Sequence, residues 1–222
     1  MTKNIIIVGS GAVAAELTSY IEDQNKNSKG DYFEILGYLD EMENVPRYWA
    51  KYRLKKPVIS DIANYKVQDD DHFIIGISSI SFRQKMIDIL IKKGGHIIGF
   101  AHYTSIIADT ATIGSGNIIY PYCIIGPNAI LRDNNMLTSY SFVSHDCAIG
   151  NNNFFATSGI SGRVRIGDQN FFGIRSTVLP DISIGDRNSI QAGMVVDRNV
   201  GNECTIFHRF REKIIAVNNN KQ

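Results

Sequence analysis

From Ile107 onward a large apolar residue, aliphatic at thirteen of fifteen positions and Phe at two, returns every six residues with a single break. The series runs Ile107, Ile113, Ile119, Ile125, Leu131, Leu137, Val143, Ile149, Phe155, then Ile166, Phe172, Val178, Ile184, Ile190 and Val196. Ile, Leu and Val make up only about a quarter of an average chain, so chance does not produce this series. A period of six excludes an α-helix, whose apolar positions return every 3.6 residues. It fits a solenoid in which each unit is one short strand and a corner, and three units close a triangular coil. The large residue of each unit fills the interior. Two positions before it the side chain is small (Ser105, Ala111, Asn117, Cys123, Ala129, Asn135, Ser141, Cys147, Asn153), and Gly follows it at 114, 126, 150, 167, 173 and 185. We read the small residue as fitting near the corner and Gly as tolerating the turn. Stacked coils pair as parallel strands and depend on one another for burial. Ile107 to Val196 holds about five such coils, and the eleven residues from Phe155 to Ile166 contain one side shortened to five. The tail 204–217 is expected to return and pack on the last coil or on a neighbouring subunit.

The first hundred residues have another texture. Asn4–Val8 reads as a buried strand, followed by Gly9-Ser10-Gly11-Ala12-Val13-Ala14 and a helix over Ala14–Asp23. This is GxGxxA between a strand and a helix, where free backbone N–H groups at a helix start suit a phosphate. A second strand, Phe33–Leu39, ends at Asp40, which stands where a ribose-binding acid would, though 29 residues beyond Gly11. His72–Ile77 and His96–Ala101 read as strands and Phe82–Lys93 as an amphipathic helix. The expected fold is therefore α/β plus all-β. A small Rossmann-like domain of about four parallel strands (1–103) precedes a parallel β-helix with a C-terminal tail (104–222). Four strands are about half a dinucleotide fold, which favours one nucleotide over NAD; a plain strand–helix turn is the alternative reading of GxGxxA.

With 23 basic against 22 acidic residues the net charge is +1, which gives no basic surface for nucleic acid. No run of 18 apolar residues suggests a membrane span. The N-terminus reads as a first strand of a cytoplasmic protein, since its apolar run is short and ends in Gly-Ser-Gly. Cys123, Cys147 and Cys204 are odd in number and form no CxxC pair, so neither a disulfide framework nor a metal site is expected. Two of them occupy the small-residue position of the repeat.

Of five histidines, His145 stands out. It lies two residues after the interior Val143, at a corner, in Ser144-His145-Asp146-Cys147. A corner side chain can face an adjacent subunit, and an acidic neighbour can orient the imidazole. His72 and His96 flank strands and look structural. His102 and His208 carry no signal.

Taken together, IIIVGSGAVA, EILGYLDE and SHDCAIGNNNFFATSGISGRVRIGDQNFFGIRSTVLPDISIG make the chain resemble the bacterial hexapeptide-repeat sugar acetyltransferases. That group comprises sialic acid O-acetyltransferases and nucleotide-linked 4-amino-sugar N-acetyltransferases. The resemblance implies a left-handed β-helix, acetyl-CoA as co-substrate, no metal, and a homotrimer with sites between subunits. It implies that His145 is the general base and Asp146 the acid that orients it. It assigns Gly162 to the thioester oxygen through its N–H, Ile174 and Ala192 to backbone contacts along the pantetheine arm, and Ser10, Gly11, Asp40 and Ile77 to the nucleotide sugar. The chain departs from the pattern at Phe154, where many relatives carry a second histidine nine residues after the first. The expected activity is N-acetylation of a nucleotide-linked 4-amino-6-deoxy sugar, and the alternative is O-acetylation of sialic acid or a related sugar. A dehydrogenase would leave the β-helix unexplained, and a non-enzymatic scaffold would bind no acetyl-CoA.

Overall fold

The computed structural model describes residues 2–28, 30, 32–41 and 51–208. Its C-terminal part is a parallel β-solenoid of two-residue strands. The first face holds seven strands, from Phe100–Ala101 to Thr205–Ile206. The second holds six, from Ile106–Ile107 to Val195–Val196, and the third holds five, from Thr112–Ile113 to Ser183–Ile184. Each strand pairs with the one a full coil later, as Ile125 does with Val143 and Leu137 with Phe155. The short side is Phe155–Ile160: the strand Gly159–Ile160 takes its place on the second face, five residues after Phe155. The repeated apolar residues form one core, within which Phe155 and Phe172 stack at 4.7 Å.

The corners carry left-handed backbone, but the residues there are mostly not glycine. Tyr122, Asn128, Asn134, Tyr140, Asp146 and Asn152 take φ between 51° and 64°, and the series continues up the solenoid. The glycines after the apolar positions serve another purpose than the expected turn. A Cβ on Gly126 would lie 2.8 Å from the backbone N of His145, and one on Gly173 would lie 2.6 Å from that of Ala192. They are glycines because the next coil passes too close for a side chain.

The three corners also use three chemistries. Before the second face the position holds Ser105, Cys123, Ser141, Ser158 and Ser176, and Met194 before the last strand. Before the third it holds Ala111, Ala129, Cys147, Val164 and Ile182. Before the first face it holds Asn117, Asn135, Asn153, Asn170 and Asn188, all at most 2 % exposed. These asparagines are more than small. The side-chain oxygens of Asn117, Asn135, Asn153 and Asn170 accept the backbone N–H of the asparagine one coil on, at 2.8–2.9 Å, and that of Asn188 accepts the Cys204 N–H. The Asn153 amide also donates to the Gly167 carbonyl at 2.9 Å. Corner amides that no strand partner reaches are thereby satisfied inside the protein.

The N-terminal part is a five-stranded parallel sheet ordered β3-β2-β1-β4-β5: β1 Thr2–Val8, β2 Tyr32–Leu39, β3 Val58–Ser60, β4 His72–Ile75 and β5 His96–Ile97. Helix α1 spans Ala12–Asn27 and α2 spans Ile80–Lys92. The expected single strand His96–Ala101 is two strands in different sheets. Ile97 pairs with Phe73 in the N-terminal sheet, and Phe100 pairs with Ile118 as the first rung of the solenoid. The N-terminal unit packs on the outer side of the first face, where Ile118, Met136 and Phe154 share a core with Ile5, Leu17 and Tyr38. His102 ties the junction, bonding Asp23 of α1 at 3.1 Å and Thr104 at 2.8 Å. Thr205–Ile206 continues the stack on Ser189–Ile190; the rest of the expected tail, 209–217, lies outside the described residues.

The asparagine ladder yields a stability prediction. Asn153→Ala strands the Asn170 N–H and the Gly167 carbonyl, and an unsatisfied buried polar group costs about 1–3 kcal/mol. Urea unfolding should show a loss of about 3 kcal/mol; a midpoint equal to wild type would mean that the ladder does not hold the coils.

Candidate active site

His145 and Asp146 follow the second-face strand Phe142–Val143, at the corner leading to the third face. Asp146 is the left-handed residue of that corner, φ 58°, and its N–H donates to the Pro127 carbonyl one coil below. His145 Nδ1 lies 2.7 Å from Asp146 Oδ2, and both side chains are about half exposed. The bonds from His145 and, second, from Asn128 hold the Asp146 carboxyl below the usual carboxylate range. An ionised carboxylate only accepts, so Nδ1 is the donor in this contact, and in the neutral ring Nε2 is then the nitrogen that carries the lone pair.

That lone pair faces Gly162. One coil above, Gly162 follows Gly159–Ile160 at the same corner and is buried. A Cβ there would sit 2.6 Å from His145 Nε2 and 2.7 Å from Cε1. The fold thus brings His145, Asp146 and Gly162 together. Cys147, behind them, donates its thiol to the Ser161 carbonyl at 3.0 Å, and burial pushes its pKa up, as befits a packing residue and not a nucleophile.

Ile174 and Ala192 lie elsewhere. They stack at the corner between the first and second faces, where the Gly193 N–H donates to the Ile174 carbonyl. The second face separates them from His145. Ile174 is 56 % exposed. Lower on that corner the exposed Tyr122 and Tyr140 rings stack at 5.3 Å.

The four residues assigned to the nucleotide sugar gather at the C-terminal edge of the N-terminal sheet. Gly9 has φ +100°, and a Cβ there would meet the Gly76 carbonyl at 3.0 Å, so the first glycine of the motif is required by the turn. Ser10 is fully buried, its N–H and hydroxyl held by Asp40 Oδ2 at 2.7 and 2.5 Å. Gly11 is the N-cap of α1, and a Cβ on it would meet nothing within 4 Å. Asp40 and Ile77 line a cavity of about 550 Å³ with Gly9, Leu39, Lys85 and Met86. Asp40 therefore braces the turn and borders the cavity at once. Among the described residues no group of His, Cys, Asp and Glu could hold a metal ion, and no helix is long and apolar enough to cross a membrane.

Asn128, Arg163 and Asp181 surround the pair and were not found by the reading of the sequence. Asn128 Nδ2 donates to Asp146 Oδ1 at 3.1 Å, while Arg163 binds Asp181 with two bonds at 2.6 and 2.7 Å. Their signal was the coil length: they stand 18 below, 17 above and 35 above Asp146.

The close approach of Gly162 can be tested. Its φ is an ordinary one, so Gly162→Ala should fold, but the new Cβ must push the imidazole aside. We expect thermal stability near wild type and turnover lower by about 10²-fold, the lower range of a general base's contribution. Full turnover would show that His145 does not need this position.

No known family model matches the chain. It is 32 % identical over 103 residues to the GDP-perosamine N-acetyltransferase of Escherichia coli, covering 46 % of this chain and 47 % of that protein. It is 29 % identical over 102 residues to the acyl-[acyl-carrier-protein]–UDP-N-acetylglucosamine O-acyltransferase of Helicobacter pylori, covering 42 % and 38 %. The match thus spans less than half the length of either relative. The acetyltransferase domain of PglB from Neisseria gonorrhoeae superposes with a TM-score of 0.77 at 16 % identity, over 91 % of this chain and 95 % of that one. PerB from Caulobacter crescentus, solved with CoA and GDP-perosamine, superposes with a TM-score of 0.74 at 20 % identity, over 91 % and 92 %. At these identities the solved structures speak for the fold alone. By sequence and by fold, the chain resembles the hexapeptide-repeat sugar acetyltransferases.

Proposed function

We propose that this chain transfers an acetyl group from acetyl-CoA to the amino group of a nucleotide-linked 4-amino-6-deoxy sugar. The observation that carries this reading is the imidazole of His145, held at Nδ1 by Asp146 and turned at Nε2 toward Gly162. The amine nitrogen attacks the acetyl carbonyl carbon. His145 Nε2 takes the proton that nitrogen releases and passes it to the sulfur as the C–S bond breaks, so CoA leaves as a thiol. The Gly162 N–H stabilises the developing oxyanion. Ile174 and Ala192 hold the pantetheine arm through their backbones. Gly11, Asp40 and Ile77 hold the nucleotide end of the acceptor, with Ser10 fixing Asp40 from behind and the phosphates at the start of α1. The names of the relatives support acetyl transfer to nucleotide-linked sugars.

In this reading the first unit is a Rossmann-like nucleotide-sugar domain, 1–103, and the second a left-handed β-helix, 104–222, of a cytoplasmic enzyme. The assembly is a homotrimer, and the layout within one chain supports it. The cavity lies on the unit packed against the first face, whereas His145 lies at the corner of the second and third. A second copy that brings its own cavity edge and its Ile174–Ala192 corner against this His145 completes the site. Ile106, Ile124 and Phe142 form an exposed apolar row up the second face, the kind of patch that marks an interface. Light scattering should give three times the 24.8 kDa chain mass, and a monomer at all concentrations would break the shared-site arrangement.

The activity itself is tested by thiol release from acetyl-CoA over a panel of nucleotide-linked amino sugars and free sialic acids. We expect release with an amino sugar, and a loss of about 10²–10⁴-fold in kcat for a folded His145→Ala. Release only with sialic acids would replace amine by hydroxyl as the acceptor. A variant within twofold of wild type would remove His145 as the base.

A further inference from the structure

We propose that Asn128 is a positioning residue that fixes the tautomer and direction of the His145 imidazole from one coil below. Its kinetic consequence rests on the acetyl-transfer reading above; its geometric one does not. Asp146 has two oxygens and two different holders. Oδ2 takes the proton-bearing Nδ1 of His145 at 2.7 Å, and Oδ1 takes the Nδ2 of Asn128 at 3.1 Å. The carboxylate is half exposed, so a single bond would leave it free to turn about its last torsion and trade His145 for water. The second bond, from a neighbour on another coil, stops that rotation.

Asn128 is itself fixed. It holds the left-handed corner at φ 57°, a conformation Asn tolerates better than most residues, and its N–H donates to Thr110 Oγ1 at 3.1 Å. Thr110, Asn128 and Asp146 therefore form a ladder on the outside of one corner, with rungs 18 residues apart. The rung above is Arg163, the strongest donor nearby and near enough to Asp146 for their charges to interact. Left alone it would compete with His145 for the carboxylate. Asp181, on the next rung, takes the guanidinium in two parallel bonds. The carboxylate of Asp146 is thus left to His145 and Asn128, and the amide must present its NH₂ because an ionised carboxylate has nothing to donate.

Two variants separate positioning from folding. Asn128→Gly removes the amide at a φ that suits glycine, and Asn128→Asp keeps the shape and the tolerance of that φ while turning the donor into an acceptor. The readout is the ¹⁵N resonance pair of His145 in the full-length protein at about pH 8, where an ordinary imidazole is neutral. Wild type should show the Nδ1–H form. Both variants should shift toward the Nε2–H form as Asp146 loses the donor that holds its carboxylate in place. In thiol release, kcat should fall about tenfold, at the low end for loss of a supporting partner, with KM for acetyl-CoA unchanged. A wild-type tautomer in both variants, or full kcat in Asn128→Asp, overturns the proposal. A shifted tautomer in a protein that acetylates nothing in the panel supports Asn128 as the positioning residue and sinks the acetyl-transfer reading alone.

Discussion

The stacking of each coil on the one before is the constraint from which everything else in this molecule follows. A parallel rung joins residues about eighteen apart, and a two-residue strand has too few bonds to stand alone. Stability is therefore collective, and so is position. Once Val143 sits on Ile125, His145 must sit above Pro127, and Gly162 above His145. The close passage of the coils makes this strict: a Cβ on Gly126 would strike the backbone at Ser144 and His145. The candidate base is thus held by the same contact that stacks the solenoid, on a rigid edge and not on a loop.

A triangular coil must turn three times, and each turn takes backbone N–H groups out of the strands. One corner solves this with buried asparagines, whose oxygens replace the missing partners. Another leaves apolar residues inside, from Ala to Ile, and puts its polar groups outside. That second corner carries His145, Asp146, Asn128, Arg163 and Asp181. The division has a physical reason. Interior amides are worth their burial only when all their bonds are made, and the asparagine ladder makes them. Polar groups on the outside of a corner need no such interior partners, and they stand on the corner whose interior is plain.

The period of six was legible because burial is periodic: the apolar series names the inward residue of nearly every strand. The reasons behind the smaller residues were not legible. Glycine read as a turn residue, while the turns fall to Asn, Asp, Tyr and Arg two positions later and the glycines serve close approach. Asparagine read as small, because composition gives size but not bonding partners. Val58–Ser60 escaped notice as a strand because three residues carry no period, and the sheet has five strands where four were expected. The run His96–Ala101 read as one strand since nothing local reveals that its halves pair in different sheets. At the site, His145 and Asp146 were visible because they are neighbours in sequence. Asn128 was not, since no apolar series marks the outward positions, where only the step of eighteen links it to Asp146.

Phe154 shows what the first face asks of its outward residues where the N-terminal unit covers them. It is buried on the outer side of the first face, stacked on Phe171 at 5.5 Å and packed with Ile118 and Met136 against the N-terminal unit. An imidazole in its place would need a partner for each nitrogen or lose about 1–3 kcal/mol, and the side chains around it are apolar. The other described histidines are no substitute. His72 and His96 lie in β4 and β5, His102 is buried between Asp23 and Thr104, and His208 lies beyond the last rung. Among the described histidines His145 alone stands on an exposed corner with a carboxylate at its Nδ1 and a neighbouring coil at its Nε2, which is why the proposed proton transfer rests on it. A phenylalanine at this position seats the N-terminal unit on the first face, away from the corner that carries His145.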